Sequence, residues 1–172
     1  MLAALAVPVI AVLTVTALWT MRRAMEREKQ VRTMAQIRAF YDVWSLYQNY
    51  YGSFCPKGKE NLEFAWGNIS PDELKQMLTP FLVMQWDPKK TFLDGWERPL
   101  QFAARCTSPC DPMYWSRTPR GEVCDVFIRS AGRDGKWDHN GHYEKKLAAA
   151  DDFDRDIVWE QGKFIQSPAP GQ

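Results

Sequence analysis

The stretch from Met1 to Tyr50 constrains this chain more than any other. From Leu2 to Trp19 there is no charged residue. As a helix that run would be roughly 27 Å long, about the hydrocarbon thickness of a bilayer. It is rich in Ala, Val, Leu and Ile and has no Gly. Pro8 would break a soluble helix but is tolerated in a membrane one. Beyond Arg22 and Arg23 the pattern becomes that of an amphipathic helix. Met34, Ile37, Tyr41, Trp44 and Tyr47 recur at three- and four-residue steps, with Phe40 and Tyr51 flanking the stripe, and Arg27, Lys29, Arg32, Arg38 and Asp42 fall mostly off it. No Pro or Gly occurs between Val9 and Tyr51, so nothing stops the helix before Gly52 and Pro56. One helix of about 50 residues would be roughly 75 Å long, its first half in a membrane and its second half against a folded body. The plainer alternative is a signal anchor followed by a separate helix.

The chain has 172 residues and a formal net charge of +1. Without the apolar run about 150 residues remain, the size of one domain. A near-neutral chain has no basic surplus with which to release counterions from phosphates, which argues against nucleic acid as a partner. The four cysteines, Cys55, Cys106, Cys110 and Cys124, favour disulfides in an oxidising compartment. A zinc site is the rival, but only Cys106 and Cys110 are closely spaced. Arg22 and Arg23 would place the end of the apolar run in the cytoplasm by the positive-inside rule. The cysteines place the body outside, and this is the orientation expected. A cleaved signal peptide is disfavoured by the length of the run and the lack of a small-x-small site after it.

After the helix, Lys57 to Asn68 reads as a polar loop. Ser70-Pro71-Asp72-Glu73 is a helix start, with Ser70 as N-cap, Pro71 at the first position and Glu73 in capping-box register. Leu74, Met77 and Leu78 should point inward, and the helix should stop before Pro80. Asp94 to Pro99 is a turn leading into a strand over Leu100–Ala104, and Cys106 to Gly121 is a loop. The clearest strand is Glu122–Ser130, in which Cys124, Val126 and Ile128 alternate with Asp125, Phe127 and Arg129. A disulfide between Cys106 and Cys124 would suit two neighbouring strands, although the connectivity stays open. Ile157 to Glu160 is a last strand that could continue across Gly162 into Phe164 and Ile165. Ser167 to Gln172 reads as a flexible tail.

Chemistry concentrates in one loop. Asp134, Asp138, Asp151, Asp152, Asp154 and Asp156 lie among Gly132, Gly135, Asn140 and Gly141. A hard cation such as calcium takes about six to eight oxygens on a loop that glycine lets curl. An EF-hand is excluded, since its first position would be Lys136 and its twelfth Leu147. The alternative is a solvated acidic loop. His139 and His142, the two histidines, fall in the same stretch and read as exposed. No nucleophile elbow surrounds Ser130, and no phosphate-binding glycine loop occurs. No acid–base pair emerges from the aspartates alone, so no enzymatic activity is expected.

Four segments then resemble, in order, the major pseudopilin of type II secretion systems, within the type IV pilin superfamily. They are Tyr51-Gly52-Ser53-Phe54-Cys55-Pro56; Asp94-Gly95-Trp96-Glu97-Arg98-Pro99-Leu100-Gln101-Phe102; Ser130-Ala131-Gly132-Arg133-Asp134-Gly135; and Asp154-Arg155-Asp156-Ile157-Val158-Trp159. The resemblance implies a non-enzymatic subunit whose helix is first held in the inner membrane and then packs as the core of a periplasmic filament, the pseudopilus, that helps export folded proteins. It implies calcium held by Asp134, Asp154 and Asp156, with Asp138 or Asp152 in addition. It implies self-assembly and contact with other pseudopilins and inner-membrane secretion components. Leu2 to Ala6 carry no charge where such proteins have a Glu, so the chain either begins within the mature helix or is never processed.

The expectation is thus an α+β, pilin-like protein: a long N-terminal helix, transmembrane in its first half, packed on a small antiparallel sheet. Residues 1–21 would span the inner membrane once, 22–166 would form the periplasmic body, and 167–172 the tail. The alternatives are a minor type IV pilin in adhesion or assembly, and a membrane-anchored periplasmic binding or enzymatic domain with a cleft lined by His139, His142 and acids.

Overall fold

The computed structural model describes residues 2–59, 62–81, 91–106, 125–139, 146–148, 152–160 and 162–168, with backbone alone for 2–9, 146–148 and 168. One continuous helix, α1 (Leu2–Tyr51), runs through the whole N-terminal stretch. It stops where glycine permits: Gly52 takes φ 74°, and its N–H donates to the Gln48 carbonyl at 2.7 Å. The following turn folds back on the helix. Trp44 Nε1 donates to the Phe54 carbonyl at 2.8 Å and the Tyr47 hydroxyl to that of Cys55 at 3.3 Å.

The second half of α1 lies on a five-stranded sheet, so the α+β expectation holds. The strands are β1 (Gln101–Arg105), β2 (Asp125–Ser130), β3 (Lys146–Ala148), β4 (Ile157–Glu160) and β5 (Lys163–Pro168). Their order is β1-β2-β4-β5-β3, antiparallel throughout except that β3 runs parallel to β5. Ile37, Phe40, Trp44 and Tyr47 are buried as the stripe predicts, against Phe102, Ile128 and Trp159. Phe40 meets Phe102 edge-on at 5.2 Å and Tyr41 meets Trp159 at 5.2 Å. Edge-on contact is the arrangement that ring quadrupoles favour.

Three local readings change. Gly162 takes φ 76° and turns the chain from β4 into β5 rather than letting one strand continue. β5 runs to Pro168 and pairs with β3, so the stretch expected as tail begins inside the sheet. β2 is buried on both faces. Val126 and Ile128 face the helix cluster, while Phe127 on the far side packs against Phe64 at 4.6 Å.

The polar loop before α2 (Pro71–Leu78) covers the free edge of β1. Leu62 and Cys106 exchange both backbone hydrogen bonds, and the Asn68 side chain bonds both the N–H and the carbonyl of Ala104. An uncovered edge strand would template pairing with other chains. The capping box forms as expected, with Glu73 N–H donating to Ser70 Oγ at 3.2 Å and Ser70 N–H to Glu73 Oε2 at 3.0 Å. Ser70→Ala should cost about 1 kcal/mol, measured as a lower urea midpoint; an unchanged midpoint would show that the box contributes nothing.

The connectivity left open by the sequence is Cys55–Cys106 and not the Cys106–Cys124 pairing that neighbouring strands would suit. The turn after α1 brings Cys55 to the end of β1, which short-range spacing cannot foresee. Cys110 and Cys124 lie outside the described residues.

The membrane placement is also corrected. Among the described residues no helix is long and apolar enough to cross a membrane, which conflicts with a single-pass inner-membrane protein.

Candidate functional site

Three of the four segments quoted above meet at one place, beside the middle of α1. Asp94, 5% exposed, organises it. Its Oδ1 accepts the N–H groups of Trp96 and Arg98 at 2.8 and 2.9 Å, and its Oδ2 accepts the Ser130 hydroxyl at 2.6 Å. Ser130 Oγ in turn accepts the Gly132 N–H at 3.2 Å. Arg98 closes the ring by donating from Nη1 to the Gly132 carbonyl at 3.1 Å. This net holds Glu97 at φ 62°, a left-handed conformation that costs a non-glycine residue about 1–2 kcal/mol.

The same turn docks α1. Gly95 donates to Thr33 Oγ1 at 2.8 Å. A Cβ at Gly95 would come within 2.2 Å of the Lys29 carbonyl oxygen, so only glycine lets the turn approach the helix this closely. Trp96 Nε1 donates to Glu26 Oε2 at 2.7 Å. Burial works against ionisation of Glu26, but hydrogen bonds from Trp96 and Lys29 outweigh it and hold the carboxyl below its usual range.

A second feature covers the outer face of β2. The guanidinium of Arg129, 3% exposed, lies between Trp66 and Trp137, 4.1 and 4.0 Å from their ring centroids. It donates to Gln101 Oε1 at 3.0 and 2.7 Å and to the His139 carbonyl at 2.7 Å. A buried cation stacked between two indoles, with its in-plane donors engaged, is a favourable way to keep that charge out of water.

The five aspartates expected to hold a metal do not converge. Asp154 takes a two-point fork from Arg133, Nε to Oδ1 at 2.8 Å and Nη2 to Oδ2 at 2.7 Å. Asp152 pairs with Arg155 at 2.9 Å. Asp134 is exposed, and its Oδ1 accepts the Lys136 N–H at 2.9 Å. Only Asp138 and Asp156 come together: each accepts the other's backbone N–H at 3.1 Å, and Gln166 Nε2 adds a bond to Asp138 Oδ2 at 2.8 Å. Among the described residues no group of three or more His, Cys, Asp or Glu side chains could hold a metal ion. In this arrangement the carboxylates of Asp152 and Asp154 are each engaged by a guanidinium group. Asp151 and His142 lie outside the described residues, and His139 is exposed.

The Arg133 hydrogen bonds hold the Asp154 carboxyl below its ordinary range, and the same pairing raises the Arg133 guanidinium. A carboxyl lowered on folding stabilises the fold above its unfolded value, and that contribution is lost as pH falls through the folded value. With the side chains 42% and 47% exposed, solvent screens the pair and its share is small.

Arg98, Arg129 and Arg133 are the residues that composition did not single out. The available signal was weak: an arginine in each of two Gly/Asp turns and one on an alternating strand. Beside the ring lies a groove of about 640 Å³ lined by Ser70, Arg98, Gln101, Asp134 and Trp137. Among the described residues its lining includes Asp134 but not His139. No family model matches this chain, and neither a curated protein nor a solved structure does.

Proposed function

We propose that this chain is a pseudopilin-like structural subunit, whose copies pack through the first half of α1 into a filament serving protein export. The observation that carries the assembly is the state of that helix. Ile10, Val12, Leu13, Val15, Leu18 and Trp19 are 59–67% exposed. At 100° per residue, Ile10, Leu18, Val15, Val12 and Leu13 sit at roughly 0°, 80°, 140°, 200° and 300° about the axis. A helix apolar on every side is normally buried on every side, and exposed apolar surface of this extent marks an interaction site. A single partner would cover one stripe. Several neighbouring copies of the same helix would cover all of it, which is the arrangement inside a filament.

The export role rests on the resemblance of the four segments, three of which meet at the Asp94 ring. Other pseudopilins are the further partners that this reading implies.

The test is electron microscopy and sedimentation of the full 19.9 kDa chain. Filaments or large oligomers are expected. Leu13→Arg with Leu18→Arg should reduce them to monomer while leaving the melting temperature of the body unchanged, since neither side chain touches the core. A chain that stays monomeric at high concentration would end this reading.

A further inference from the structure

We propose that the two ends of the segment from Ser130 to Asp156, at Gly132–Gly135 and Phe153–Arg155, are tied together by the chain's own arginines, Arg98 and Arg133, in the place where its composition calls for calcium, and that this tie holds without a divalent ion. This does not rest on the assembly reading; it replaces the metal expected of an Asp- and Gly-rich loop.

Arg98 fills the first turn. Its guanidinium donates to the Gly132 carbonyl and lies so close to Gly135 that a Cβ there would come 2.1 Å from Nη1. Gly132 and Gly135 both take positive φ, 62° and 71°, which wraps the turn around this group. Arg133 ties that turn to the second end of the loop. Its side chain forks onto both oxygens of Asp154, and its N–H donates to the Phe153 carbonyl at 2.7 Å. The two ends touch directly as well: a Cβ at Gly132 would lie 2.5, 2.9 and 3.0 Å from the carbonyl oxygens of Arg155, Phe153 and Asp154. Backbone packed this closely leaves no gap for an ion between those carbonyls and Gly132.

The chemistry of the groups fits the role. A guanidinium stays charged at any physiological pH, and its planar fork matches a carboxylate. Calcium would need about six to eight oxygens, and to recruit Asp154 it would first have to break a charge-assisted fork. A guanidinium that donates to one turn while its neighbour grips the other makes the link a metal would make, with no dependence on ion concentration. Asp138 and Asp156 add a third tie by exchanging backbone bonds.

The test begins with the unmodified full chain in EDTA and in millimolar calcium chloride. Superimposable melting curves are expected. Amide exchange adds a site-resolved reading, because the N–H groups of Arg133, Lys136 and Asp138 donate to Phe153 O, Asp134 Oδ1 and Asp156 Oδ2. They should exchange slowly, at the same rate in both buffers. Arg98→Met and Arg133→Ala should each speed proteolytic cleavage between Arg133 and Asp154 several-fold at 25 °C, with Arg133→Lys in between because it keeps the charge and loses the fork. A calcium-dependent rise in melting temperature, protection of those amides in calcium alone, or unchanged cleavage in both arginine variants would each overturn the proposal.

Discussion

Replacing Ile37 by Asp is expected to leave the body unfolded at room temperature. Ile37 has no exposed surface and belongs to the cluster of Phe40, Trp44, Phe102, Ile128 and Trp159. A carboxylate there would have to stay ionised without a partner or take up a proton. Either course costs several kcal/mol, against a whole-domain stability of about 5–15 kcal/mol. The lost contacts of the isoleucine add about 2–5 kcal/mol more. Arg38→Asp, one residue away, is the control. Arg38 is exposed, and among the described residues its guanidinium meets the face of Trp159, 5.9 Å from the ring centroid, so its loss should cost about 0.5–1 kcal/mol. Circular-dichroism melts compare the two. Matching transitions for Ile37→Asp and the parent would refute the placement of α1 on the sheet.

Removing the Cys55–Cys106 disulfide is expected to cost about 4 kcal/mol. The bridge joins residues 51 apart in sequence, and closing a loop of that length in the unfolded chain accounts for a penalty of about this size. Its position strengthens the case. Cys55 and Cys106 are 3% and 1% exposed, the carbonyl of Cys55 takes the Tyr47 hydroxyl, and Cys106 pairs with Leu62 on the covered edge of β1. The bridge therefore pins the end of α1, the covering loop and β1 together. Denaturant unfolding of Cys55→Ala with Cys106→Ala, and of the parent with and without reductant, measures the loss. Midpoints that agree in all three samples would show that the cross-link does not stabilise this fold.

The features legible in the chain were those set by near neighbours. The three- and four-residue spacing from Met34 to Tyr47 identified the buried face of α1, because helical geometry alone brings those side chains to one side. Gly52 marked the helix end, since it alone there accepts a positive φ without strain. Ser70 and Glu73 announced α2, because both partners of the capping box lie within one turn. The alternation in β2 located the strand, but not the burial of both its faces. The covering of Phe127 and Arg129 comes from Trp137 and from Phe64 and Trp66, the last two remote in sequence.

The candidate site shows where local signals end. Five aspartates in a glycine-rich stretch are a pattern of composition, and composition suggested a divalent cation. What Asp154 meets, and what fills the Gly132 turn, depends on arginines brought in by folding. Arg133 is 21 residues from Asp154, and Arg98 is 34 from Gly132. The same applies to the disulfide, whose partner was decided by the turn after α1 rather than by strand spacing.

The sequence by itself determined the buried stripe of α1 and its stop, the start of α2 and the concentration of charge in one loop, through periodicity, capping and backbone freedom, while one helix or two stayed open. Only the tertiary structure decided that Cys55 rather than Cys124 meets Cys106, that Gly162 turns β4 into β5, and that the Arg133 guanidinium meets Asp154. Each of those is a choice among chemically equivalent partners. Such a choice is settled by which surfaces the packing of α1 on the sheet brings into contact.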